Sequence, residues 1–119
     1  MATIQLTTQE FKEKVFNYDV NKDWKYEGSL PAIVDFYADW CGPCRQLSPS
    51  LEQMARNDPE IALRKIDIIN WKTAVAQQFN IHSIPQVNVY DRNGRLIGTA
   101  LGADFEKVKS YVAQAKSNN

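Results

Sequence analysis

Two cysteines stand three residues apart in Cys41-Gly42-Pro43-Cys44, and the chain contains no others. Thiols within one helical turn of each other suit thiol–disulfide exchange. Cys41 attacks a disulfide, and Cys44 then attacks the mixed disulfide and releases the substrate as a dithiol. Two cysteines exclude a disulfide-dense scaffold and a four-cysteine zinc site. A mixed zinc site needs two further ligands, and the chain has a single His, so no metal is expected.

The segments around the pair explain how it is activated. Residues 32–37, Ala-Ile-Val-Asp-Phe-Tyr, read as a buried strand. A helix follows over residues 41–56, interrupted at Pro49, where a backbone donor is lost. Cys41 therefore falls at a helix N-terminus, where unpaired N–H groups and the macrodipole favour a thiolate. Cys44 lies deeper and keeps its proton until resolution. Gly42 tolerates close backbone approach, and Pro43 fits a first helical turn. Asp35 is the one charged residue on the buried strand. Desolvation raises the pKa of such a carboxyl, which makes Asp35 a candidate proton acceptor for Cys44, through a water.

The remaining pattern alternates strand and helix. Residues 4–6 read as a short strand, and Thr7-x-x-Glu10 as a capping box opening a helix to Tyr18, with Phe11 and Val15 on its inner face. Residues 19–30 form a loop rich in Asn, Asp, Lys and Gly, with Trp24 and Tyr26 as packing residues. Further strands are expected at 61–68, 86–90 and 95–101, and helices at 73–79 and from Asp104 onward. Asn93-Gly94 marks a hairpin between the last two strands. The order predicts an α/β fold with a central mixed sheet of four to five strands, flanked by helices on both faces. The 119 residues are expected to form a single domain over 1–119.

Charge narrows the partners. Fourteen Lys+Arg balance fourteen Asp+Glu, which argues against nucleic acid and anionic membrane. No apolar run approaches the roughly 18 residues of a spanning helix, and no secretory leader is visible at Met1-Ala2-Thr3-Ile4-Gln5.

The segment Val34-Asp35-Phe36-Tyr37-Ala38-Asp39-Trp40-Cys41-Gly42-Pro43-Cys44-Arg45 resembles the active-site signature of thioredoxins. The resemblance continues through Pro49, Ile81-His82-Ser83-Ile84-Pro85, Asn93-Gly94 and Leu101-Gly102-Ala103. It implies a thioredoxin-like fold and the same role for Asp35. It also implies a cis bond at Pro85 and a Lys, here Lys65, beside the buried Asp, where the cation lowers the Asp pKa. Trp40, Gly42, Pro43, Ile84, Pro85, Gly102 and Ala103 are then the substrate-binding surface around the thiol. The Ile84 backbone is placed to pair with an extended substrate. Trp71 reads as a packing residue and His82 as an ordinary loop residue. Tyr37, Gln86 and Asn88 depart from the family pattern, as do a longer first loop and one extra residue after Asp67.

The expected activity is reduction of protein disulfides by a monomer, with thioredoxin reductase or another electron donor restoring the dithiol. No cofactor is expected beyond the Cys41–Cys44 disulfide, because the chain lacks a nucleotide-binding glycine motif. The expected compartment is cytoplasmic, or extracytoplasmic if a leader was removed. Two other readings stay open at this point: an exported thiol oxidase or isomerase, and a holdase that uses the apolar patch without turnover.

Overall fold

The computed structural model describes residues 3–7, 9–10 and 28–118. Its strands are β1 (Thr3–Leu6), β2 (Ala32–Tyr37), β3 (Ala62–Asp67), β4 (Gln86–Tyr90) and β5 (Leu96–Leu101). They form one sheet in the order β1-β3-β2-β4-β5. The pairs β1–β3 and β2–β3 are parallel, whereas β2–β4 and β4–β5 are antiparallel. The helices are α1 (Gly42–Asn57), α2 (Ala74–Gln78) and α3 (Phe105–Ser117).

Strand pleating sorts the apolar residues into two layers. Ile33, Leu63, Val87 and Val89 pack with Leu47 and Leu51 of α1 and Val108 and Val112 of α3. Val34, Phe36, Ile66 and Ile68 face the other way, onto Val75 and Ala76 of α2. Helices thus cover both faces, as expected for an α/β sheet. β2 has neighbours on both edges and cover on both faces, so its sequence is apolar except at Asp35.

The sequence-expected boundaries differ from the observed ones by a residue or two, because capping residues lie outside the helices they start. Thr73 is the N-cap of α2, and its Oγ1 accepts the Ala76 N–H. Helix α1 runs through Pro49, close to the expected bounds. The capping box is present: Glu10 N–H donates to Thr7 Oγ1 at 3.1 Å, and Thr7 N–H to Glu10 Oε1 at 3.3 Å. The rest of that expected helix, and the first loop with Trp24 and Tyr26, fall largely on residues 11–27, outside the described residues. The last hairpin turns at Asp91-Arg92-Asn93-Gly94, with only Gly94 at positive φ (81°). That is a type I turn closed by a left-handed glycine rather than a two-residue Asn-Gly turn.

Candidate active site

Cys41 is the N-cap of α1, held extended at φ −96° and ψ 108°. Its Sγ accepts the Cys44 N–H at 3.2 Å. That contact places the sulfur where the first turn of a helix has donors to spare and where negative charge is favoured. The two sulfurs are joined in a disulfide, with Cα atoms 5.3 Å apart. Both cysteines are nearly buried, while Gly42 and Pro43 between them are exposed. A Cβ on Gly42 would meet nothing within 4 Å, so the approach past it is open.

Asp35 lies on β2 behind the pair. It is 2% exposed, and its Oδ1 has no hydrogen-bond partner. A cavity of about 110 Å³ connects it to Cys44, with Tyr37, Arg45, Ser48 and Lys65 among its lining residues. This volume has room for the water that a proton relay requires. Burial pushes the Asp35 carboxyl up to about 7, against the Lys65 charge, which lowers it, while the Glu52 charge adds a smaller upward push. Lys65 sits opposite Asp35 in the β2–β3 register. Its Nζ, however, donates to Ser48 Oγ at 2.6 Å and Glu52 Oε1 at 3.3 Å, and lies 5.1 Å from the centre of the Tyr37 ring. Burial therefore outweighs the cation. Ser48 and Glu52 escaped the sequence reading. The signal was available: Cys44, Ser48 and Glu52 recur every four residues and share one face of α1.

Other elements bring the expected docking residues to the same end of the sheet. Trp40 is 56% exposed, and its Nε1 donates to the Ile69 carbonyl at 2.9 Å. The Ile84-Pro85 bond is cis, and Ile84 packs against the cluster that contains both cysteines. Gly102, at φ 79°, donates its N–H to the Pro85 carbonyl at 2.9 Å, which ties the start of β4 to the end of β5. Ala103 is exposed beside it. Trp71, expected as a packing residue, packs at the surface: it is 44% exposed, and its ring meets Trp40 edge-on at 5.6 Å. His82 is exposed, with Nε2 2.7 Å from Asn80 Oδ1. Among the described residues no cluster of His, Cys, Asp and Glu could hold a metal ion, and no helix is long and apolar enough to cross a membrane.

Comparison with known proteins agrees with this geometry. The sequence model of the thioredoxin family matches residues 2–114. Thioredoxin of Borreliella burgdorferi is 38% identical over 85 residues, covering 71% of this chain and 72% of that one. Thioredoxin of Streptomyces clavuligerus is 40% identical over 91 residues, covering 76% and 78%. Among solved structures, oxidized thioredoxin O1 of Arabidopsis thaliana superposes with a TM-score of 0.75 at 27% identity, over 96% of this chain and 97% of that one. The short form of spinach chloroplast thioredoxin F gives 0.78 at 21% identity, over 98% and 95%, a likeness of fold.

Proposed function

This chain belongs to the thioredoxin family, whose thiol–disulfide exchange the Cys41–Cys44 pair carries, and from that premise we propose that it works as a reductant of protein disulfides. The observation that carries the reading is Cys41 Sγ at the α1 N-cap, accepting the Cys44 N–H, with Asp35 buried behind Cys44. The described state, a closed disulfide, is the product of the reaction.

The steps follow from this arrangement. The reduced pair presents Cys41 as a thiolate, which attacks one sulfur of a substrate disulfide. A Cys41–substrate disulfide forms, and the other substrate sulfur leaves as a thiolate. Ionised Asp35 takes the Cys44 proton across the cavity. The Cys44 thiolate then attacks Cys41 Sγ, closes the disulfide described above, and expels the second substrate thiolate. Two electrons have passed from the pair to the substrate. A disulfide-bearing polypeptide lies over Trp40, Pro43, Ile84, Pro85, Gly102 and Ala103. A thioredoxin reductase or another two-electron donor restores the dithiol. The compartment on this reading is the cytoplasm, and the acting form is a monomer. Both cysteines belong to the reactive motif and none is structural, which suits a reducing compartment.

The test is equilibration of the Cys41–Cys44 pair against a thiol/disulfide buffer of known potential. Each 30 mV of displacement is about 1.4 kcal/mol for a two-electron couple, so the outcomes separate well. The expected result is a pair that stays reduced only in strongly reducing buffer. A pair that stays reduced in mildly oxidising buffer makes the protein an oxidant or isomerase and overturns the reading.

A further inference from the structure

A lysine opposite a buried carboxyl on the neighbouring strand has an obvious partner. Lys65 stands opposite Asp35 in the β2–β3 register, and both line the same cavity. Both belong to the sheet face that α1 covers, since Ile33 and Leu63, two residues earlier on each strand, pack in that layer. Yet Lys65 Nζ donates to Ser48 Oγ at 2.6 Å and lies 3.3 Å from Glu52 Oε1, while Asp35 Oδ1 is buried without a hydrogen-bond partner. The ammonium is turned away from the carboxyl toward two residues one helical turn apart on α1.

The other groups around Asp35 do not replace that cation. Arg45, which also lines the cavity, is exposed and donates through Nη1 to the Asp39 carbonyl at 2.7 Å. Cys44 faces the cavity from α1, and Tyr37 and Asp39 from the end of β2 and the turn beyond it. Across the other edge of β2, Asp35 stands opposite Val87 of β4, which brings no charge. Lys65 Nζ lies 5.1 Å from the centre of the Tyr37 ring, a third group that favours the ammonium where it is. Half-exposed Glu52 leaves the ammonium some water, whereas a pair with Asp35 would bury both charges.

We infer that Ser48 is a positioning residue: its hydroxyl, backed by Glu52, holds the Lys65 ammonium on α1 and keeps Asp35 free to take the Cys44 proton. The inference rests on the reductase reading above, whose resolution step moves that proton from Cys44 Sγ to the Asp35 carboxylate. With Lys65 held aside, burial keeps the Asp35 carboxyl at about 7, where it gains and loses a proton around neutral pH. A direct pair with Lys65 would keep the carboxylate ionised to much lower pH. It would then be a weaker base toward a thiol, and the proton transfer would slow. Ser48 is the neutral member of the set, so removing its hydroxyl alters where Lys65 goes without altering the charge around Asp35.

The experiment follows the Asp35 carboxyl carbon by NMR in the oxidised full chain and the resolution rate in the reduced one. That rate is the slower, unimolecular phase of thionitrobenzoate release after mixing with dithiobis-nitrobenzoate. In the unaltered chain resolution is expected to be about tenfold faster at pH 8 than at pH 6, following Asp35 ionisation. Ser48→Ala is expected to move the Asp35 titration to lower pH and to cut that ratio below about threefold. Ser48→Thr, which keeps a hydroxyl, should leave both as they were. Removing the lysine as well, in Ser48→Ala/Lys65→Met, should return the titration to neutral pH or above. A loss of helix packing alone would not be repaired in that way. A titration unmoved or raised by Ser48→Ala overturns the inference, and so does a downward move that persists without Lys65. The NMR reading needs no turnover, which separates the two levels. If the titration does not move but the chain reduces the reagent, only the role of Ser48 fails; if the reagent is not reduced, the reductase reading falls whatever the titration does.

Discussion

Among the described residues two aspartates lie almost wholly out of water, Asp35 in the middle of the sheet at 2% exposure and Asp91 in the turn of the last hairpin at 1%. Asp91 is surrounded by donors. Its Oδ1 accepts the Asn93 and Arg95 N–H groups, each at 2.9 Å, and its Oδ2 faces the Asn118 amide at 3.4 Å. Burial pushes its carboxyl up, but these hydrogen bonds and the Arg95 charge more than reverse that, and it ends below the ordinary carboxylate range. Asp35 has an orphan Oδ1 and is pushed up to about 7. The contrast comes from the backbone each occupies. A turn has N–H groups without ladder partners, and a short acidic side chain can collect them. A central strand commits its N–H groups to its neighbours, so a carboxylate in mid-strand finds none to accept. Equal burial therefore leaves one carboxyl below its ordinary range and pushes the other well above it.

The largest expected effect lies at Asp35. Asp35→Asn removes the acceptor for the Cys44 proton, and the mixed disulfide should be resolved about 100-fold more slowly at pH 7. Stopped-flow kinetics with acid-quenched intermediates would show that species accumulating. An unchanged resolution rate would leave Asp35 as no more than a buried charge.

Stability should divide the two aspartates next. Asp91→Ala strips the turn of a charged acceptor and is expected to cost about 2–4 kcal/mol at neutral pH in urea unfolding. The folded chain holds the Asp35 proton up to about pH 7, whereas the unfolded chain releases it near 4. Between those values the folded state binds more protons, so stability falls as pH rises from 4 to 7 and levels off above. Asp35→Asn should abolish that slope and gain up to about 4 kcal/mol at pH 8. Asp91 has the opposite sign, since its contribution is present above the unfolded carboxylate pKa and is lost on acidification below it. Urea midpoints measured from pH 3 to 8 test both slopes.

The smallest effect sharpens the Asp35 side alone. Lys65→Met removes the cation that lowers the Asp35 pKa, so the Asp35 titration should move upward. The carboxyl carbon shift of Asp35 in NMR reads that move. An unmoved titration would mean that the Lys65 charge, engaged by Ser48 and Glu52, does not reach Asp35.

Local rules made much of this readable from sequence. The cysteine spacing, the capping box at Thr7 and Glu10, the buried run around Asp35 and the hairpin at Gly94 each act over a few residues. Contacts that depend on how distant segments meet were not readable. Nothing in the sequence says that Trp40 donates to Ile69 or that Gly102 donates to Pro85. Trp71 was expected to pack; that it does so at the surface, edge-on to Trp40 and following a tight turn at Ile69 (φ 67°), was not readable. A β-branched residue at positive φ contradicts local preference, so no propensity argument would have placed that turn. Lys65 was expected beside Asp35, but its ammonium goes to Ser48 and Glu52, a choice set by the packing of α1 on β3.

Asn88, the polar residue that breaks an otherwise apolar strand, accepts from Gln86 Nε2 at 3.1 Å and Thr99 Oγ1 at 2.9 Å and donates to Tyr90 Oη at 3.0 Å. These groups lie across one face of the β4–β5 hairpin, with Thr99 directly opposite Asn88. The arrangement works as an alignment pin. A slip of β4 by one residue would turn Gln86, Asn88 and Tyr90 into the apolar layer under α1 and α3 and take Val87 and Val89 out of it. β4 starts one residue after Pro85 and is thereby indexed against its neighbours. The contact between Pro85 and Gly102 is held in register by a polar network centred on the middle of the strand.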